Sequence, residues 1–68
     1  MTIGLNGRRV ELCEPATLAD AVGKAGVGPD ARGVAVAVDG EVVPRSEWQR
    51  VGLQEGQSVE VVGAVQGG

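Results

Sequence analysis

Histidine, phenylalanine and tyrosine are absent from this chain of 68 residues, and cysteine, methionine and tryptophan occur once each. Without histidine, and with a single thiol at Cys13, the usual zinc and copper ligand sets cannot be assembled, so no metal site is expected. One cysteine also makes no internal disulfide, and a reducing cytoplasm is the expected compartment. Nucleic-acid binders usually show a basic stripe and stacking aromatics. Here Trp48 is the only aromatic residue and the net charge is −3, so no nucleic-acid partner is expected. No apolar run approaches the length of a membrane span, and the N-terminus has no basic segment leading into an apolar one, so no membrane role is expected either. What remains for a core is Val, Leu, Ile and Ala, residues that suit the pleated surface of strands.

Length sets the next bound. A domain of this size buries only roughly 60% of the surface its unfolded chain exposes, enough for a core but hardly for an additional deep substrate pocket. Function is therefore expected at a surface or at an end of the chain.

Along the chain, Thr2 to Leu5 is short and apolar, and Asn6-Gly7 is the dipeptide that best tolerates the positive φ of a tight hairpin turn. Arg8 to Cys13 then alternates, with Val10 and Leu12 on one side and Arg9, Glu11 and Cys13 on the other, wetter side. Pro15 cannot donate to a sheet, while Thr17 followed three residues later by Asp20 signals a capped helix start with an early acidic residue. Leu18, Ala21, Val22 and Ala25 give an apolar stripe at helical spacing, stopped by Gly26, Gly28 and Pro29 after about two turns. Val34 to Val38 is β-branched at every second position, Asp39-Gly40 supplies a second turn, and Glu41 to Val43 is extended up to Pro44. Arg45 to Arg50, with Ser46 as a cap and Trp48 as an anchor, predicts a single helical turn before Gly52. Leu53 returns to the core, Glu55-Gly56 turns, and Val59 to Val62 forms the last strand. This order is that of an α+β β-grasp architecture, a mixed sheet of four to five strands packed on one helix. It predicts a domain over residues 1–63 and a flexible tail over residues 64–68.

The tail reads Ala64-Val65-Gln66-Gly67-Gly68. With 12 glycines in 68 residues, chance alone places glycine at both final positions about 3% of the time, so coincidence is disfavoured without being eliminated. The functional alternative is steric: a C-terminal carboxylate threaded through a narrow cleft toward a nucleotide phosphate needs residues without Cβ. A carboxylate accepts sulfur only after one oxygen becomes a good leaving group, as adenylation by ATP would arrange. The chain has no phosphate-cradling loop of its own, so activation is assigned to a partner enzyme that uses ATP, and no cofactor is expected on this chain.

Asn6-Gly7, Val43-Pro44-Arg45-Ser46-Glu47-Trp48, Leu53-Gln54-Glu55-Gly56 and Gly67-Gly68 together resemble the thiamin-biosynthesis sulfur carrier family, the ThiS-like, ubiquitin-like proteins, across essentially the whole length. The resemblance implies a carrier and not an enzyme. Its terminal carboxylate would be adenylated by an E1-like enzyme of the ThiF type and converted to a thiocarboxylate with sulfur from a donor such as a cysteine desulfurase. It would then serve as sulfur source for a thiazole synthase of the ThiG type. On that reading Gly68 carries the sulfur, Gly67, Gln66, Val65 and Ala64 form the threading tail, and Val62 is a contact near its base.

Other readings stand beside this one. A molybdopterin-type sulfur carrier shares the fold and the chemistry but is expected to be longer and to contain phenylalanine. A protein modifier is less natural with Lys24 as the only lysine. A plain β-grasp binding module would treat the tail as incidental. An enzyme is the least favoured, because no nucleophile, base and orienting group can be named. Trp48 is read as a packing anchor, Cys13 as an inert thiol, and Arg8, Arg9, Arg45 and Arg50 as solvated charges, with Arg45 also a candidate for fixing the turn after Pro44. The acidic residues Glu11, Glu41, Glu55 and Glu60 serve either solubility or attraction to a basic activating enzyme.

Overall fold

The computed structural model of the chain describes residues 1–27 and 33–63. Strands β1 (Thr2–Leu5) and β2 (Arg8–Glu11) form the first hairpin, followed by helix α1 (Leu18–Lys24). Strands β3 (Val34–Val38) and β4 (Glu41–Val42) form the second hairpin, a 3-10 turn spans Arg45–Glu47, and β5 (Ser58–Gly63) closes the sheet. The five strands lie in the order β2-β1-β5-β3-β4, with β1 and β5 parallel and the other neighbours antiparallel. The last strand thus sits at the centre of the sheet, between the inner strands of the two hairpins.

Both hairpin turns follow from their dipeptides. Asn6 and Gly7 have φ of 52° and 83°, and Asp39 and Gly40 have φ of 49° and 88°, two consecutive left-handed residues whose twist matches that of the flanking strands. Nothing stands within 4 Å of a Cβ built on Gly40, so a substitution there meets only conformational strain. Gly40→Ala is expected to lower stability by about 1–2 kcal/mol in chemical denaturation, from the left-handed penalty alone. Gly52→Ala, equally uncrowded and without a positive φ, should leave the midpoint nearly unchanged.

The first hairpin extends past its strand boundary. Met1 and Leu12 exchange backbone hydrogen bonds, Leu12 N–H to Met1 O and the N-terminal ammonium to Leu12 O, each at 2.8 Å. That pairing turns Leu12 into the core and leaves Cys13 exposed. A cis Glu14–Pro15 peptide then leads to the helix.

Helix α1 is tied down at its N-terminus. Thr17 and Asp20 form a capping box, with the Asp20 carboxylate accepting the Thr17 N–H at 2.8 Å. The N–H groups of Leu18 and Ala19 would have no partner within the helix; they donate to Val51 O at 2.8 Å and Trp48 O at 3.0 Å. The helix is therefore anchored on the segment that carries Trp48. Gly26, at φ +85°, follows its C-terminus, whereas the stop signals at Gly28 and Pro29 lie outside the described residues.

Leu18, Ala21 and Val22 from the helix pack on Ile3, Leu5, Val36 and Val59 of the sheet, and Leu12, Ala16, Trp48 and Leu53 complete the core. Ser46 differs from its expected role. It lies inside the 3-10 turn, which begins after Pro44 and has no side-chain cap. The fixed φ of Pro44, −64°, pre-orients the chain for that turn and makes a hydroxyl cap unnecessary.

Candidate functional site

The candidate site is where the chain leaves the sheet, at the end of β5. Because side chains alternate along strands and directly paired residues share a face, the register fixes what surrounds this exit. Val62 pairs with Ala35, and Ala37 pairs with both Glu60 and Val42. Val62, Ala35, Ala37 and Val42 therefore form one band across β5, β3 and β4 on the face away from α1. Val62 is 63% exposed and Val42 75% exposed, the two large apolar side chains left most open to water among the described residues. Glu60 sits beside the band on the same face, and Gly4 and Ser58 continue that face toward β1.

Of the residues singled out from sequence, Val62 lies at the base of the tail, exposed on this band. Ala64, Val65, Gln66, Gly67 and Gly68 lie outside the described residues. Val42, Ala35 and Ala37 escaped sequence reasoning. Alternation in Val34 to Val38 shows that a second face exists, but only the pairing of β3 with β4 and β5 shows that the three residues join Val62.

Four of the other candidates, Glu55, Glu11, Trp48 and Arg45, have structural partners. Glu55 accepts the Thr2 N–H at 2.9 Å and Glu11 accepts the Thr2 hydroxyl at 2.8 Å, which ties both carboxylates to the first strand. Trp48 is buried and donates its indole N–H to Val43 O at 3.0 Å, the packing anchor expected from sequence. The Arg45 guanidinium stands 5.9 Å from the Trp48 ring centroid, a cation–π arrangement that holds the turn after Pro44. Between α1 and this turn runs a half-open groove of about 700 Å³, lined by Ala19, Val22, Gly23, Ser46, Trp48 and Gln49. This is a surface groove and not the deep pocket that a chain of 68 residues has little room to enclose. The groove exists because small residues on the helix face the turn, and among the described residues its lining contains no paired acid, base and nucleophile. Among the described residues no cluster of His, Cys, Asp and Glu could hold a metal ion, and no helix is long and apolar enough to cross a membrane.

A family model described as the ThiS family matches residues 3–68. The chain belongs to the ThiS family. The match runs through the terminal glycine pair as well as the folded domain. None of the curated proteins matches. Among solved structures, the chain is similar to the NMR solution structure of a thiamine biosynthesis protein from Geobacter metallireducens. The two are 26% identical with a TM-score of 0.79, over 100% of this chain and 88% of that one. The crystal structure of thiamine biosynthesis protein (ThiS) from the same organism matches with 24% identity, a TM-score of 0.77 and full coverage of both chains, and shows the common fold. The five-stranded mixed sheet on one helix is thus the ubiquitin-like β-grasp of ThiS proteins.

Proposed function

We propose that this chain is a sulfur carrier of thiamine biosynthesis, with the Gly68 carboxylate as the atom group that is activated and loaded. The observation that carries the reading is the ThiS family match, which extends through Gly68 and so includes the end at which the chemistry is assigned. A partner of the ThiF type would transfer an adenylyl group from ATP to the carboxylate, releasing pyrophosphate. The outer sulfur of a persulfide supplied through a cysteine desulfurase would then attack the acyl carbon and expel AMP, and a thiol reductant would cleave the S–S bond of the resulting acyl disulfide to leave the thiocarboxylate. A thiazole synthase of the ThiG type would consume that sulfur. On this reading the carrier is a co-substrate in these steps, its carboxylate activated and its sulfur consumed by the partners.

The apolar band beside the exit of β5 supports a docking role for this face. Val62 would make contact at the base of the tail, and Val42, Ala35 and Ala37 would extend the contact across the sheet. Burying such a band against a partner is favourable by roughly 25 cal/mol per Å² of apolar surface, and a charge placed there opposes it. Val62→Asp is expected to raise the KM of the activating enzyme for the carrier about tenfold, with little change in the carrier's own stability because the position is exposed. Steady-state adenylation kinetics alongside thermal unfolding check this.

The direct test of activation is isotope exchange between ATP and pyrophosphate catalysed by a ThiF-type enzyme. Exchange that requires this carrier supports the reading. Its absence, with an enzyme proven competent on another carrier, would refute it.

A further inference from the structure

The parallel pairing of β1 with β5 ends at Leu5 and Val59, because the chain turns back at Asn6-Gly7 to form β2. Residues of β5 beyond Val59 therefore lose their backbone neighbour on that edge just before the exit. The edge is continued by a side chain. Gly4 N–H donates to Gln57 O and Asn6 N–H donates to Val59 O, both at 2.9 Å, and the Val61 N–H then donates to Asn6 Oδ1 at 2.7 Å. Asn6 thus supplies from its side chain the acceptor that a longer β1 would supply from its backbone, across 55 residues of sequence. The left-handed backbone of Asn6, at φ 52°, lets one residue make the hairpin turn and reach across to β5.

The second hairpin contains a matching device at the other end of the same strand. Asp39, at φ 49°, accepts the Ser58 N–H at 2.9 Å with Oδ1 and the Gln57 side-chain amide at 3.2 Å with Oδ2. Asp39 holds the entry of β5 and Asn6 holds its exit. Only the exit adjoins Val62 and the tail.

We propose that Asn6 is a positioning residue for activation: by holding Val61 it fixes the end of β5, and Val62 with it, before the activating enzyme binds. The inference rests on the carrier reading above. Pre-ordering a segment lowers the free energy lost on binding, so the effect belongs in KM, while kcat, set in the bound complex, is unaffected.

Three variants of the full chain test it with a ThiF-type enzyme. Asn6→Gly keeps the left-handed turn but removes the acceptor. Asn6→Asp keeps both. Asp39→Gly removes a comparable acceptor from the far end of β5. Asn6→Gly is expected to raise KM about threefold to fivefold at unchanged kcat, and to speed hydrogen exchange at the Val61 amide by a similar factor, the worth of one exposed hydrogen bond. Asn6→Asp should restore both values, and Asp39→Gly should leave KM at that of the unsubstituted chain. An unchanged KM or unchanged Val61 exchange in Asn6→Gly overturns the inference. So does an equal rise in KM from Asp39→Gly, which would reduce Asn6 to a contributor to general stability. Failure of the carrier reading is recognised separately, because the unsubstituted chain would then not be adenylated at all.

Discussion

Deleting Gly67 and Gly68 is expected to abolish sulfur loading while leaving the folded domain intact. Among the described residues the core ends with the fully buried Val59, with Val61 packed against its margin, and glycine has no side chain for the deletion to remove. It does leave a carboxylate, now on Gln66, so loss of activity would not reflect loss of the reacting group. What changes is reach and width. Two extended residues span roughly 7 Å, and a carboxylate drawn back by that distance cannot meet a nucleotide held at a fixed place in a partner. The new terminal residue also brings a long side chain where the threading argument requires none. Adenylation followed by pyrophosphate release should fall below detection, with an unchanged far-UV circular dichroism spectrum and unfolding midpoint. Retained loading at Gln66 would show that the partner tolerates a shorter, bulkier end and would remove the steric reason for the glycine pair.

The largest effect on stability is expected at Trp48. Its ring is 8% exposed, its indole N–H is satisfied by Val43 O, and its backbone carbonyl accepts the Ala19 N–H at the start of α1. Truncation of a buried aromatic to alanine costs about 3–5 kcal/mol, whereas a domain of this length has a total stability of about 3–10 kcal/mol. Trp48→Ala should therefore be largely unfolded or nearly so at 37 °C, as seen by circular dichroism, because no second aromatic residue is available to compensate. Trp48→Phe keeps most of the apolar area and loses the indole donor, leaving the Val43 carbonyl without that partner. A loss of about 1–2 kcal/mol is expected, enough to lower the melting temperature by several degrees and not enough to prevent folding. A Trp48→Ala variant as stable as the original chain would mean that the segment from Pro44 to Val51 is not part of the folding unit.

Much of this architecture is legible in the sequence because local signals agree with tertiary ones. Asn6-Gly7 and Asp39-Gly40 each dictate a left-handed turn, the helical stripe is buried at Leu18, Ala21 and Val22 and partly buried at Ala25, the C-cap, and Trp48 and Leu53 return to the core as their apolar character requires. Boundaries are less legible. Alternation places Leu12 on the buried side with Val10, as observed, but it runs on to Cys13 whereas the strand ends at Glu11, a limit that periodicity does not mark. The turn after Pro44 forms without help from Ser46, since proline fixes the local geometry and the Arg45–Trp48 contact holds it.

The candidate site divides in the same way. Val62 can be picked out along the chain, whereas the band that it shares with Ala35, Ala37 and Val42 depends on register between three strands. Register is not encoded in any one of them. The Asn6 to Val61 hydrogen bond is still further from view. Asn6 is fully accounted for by its turn, and its second role arises only because the last strand of the fold runs beside the first and outlasts it.

The most direct test is the mass of the protein itself. The purified chain is incubated with a ThiF-type adenylating enzyme, ATP, a cysteine desulfurase and cysteine, and its intact mass and C-terminal fragments are then recorded. The carrier account predicts a gain equal to the replacement of one oxygen by sulfur, localised to Gly68 and dependent on ATP. An unmodified C-terminus on a folded protein, with the same enzymes loading another carrier, would contradict it and leave the sheet face as a binding surface with an incidental tail.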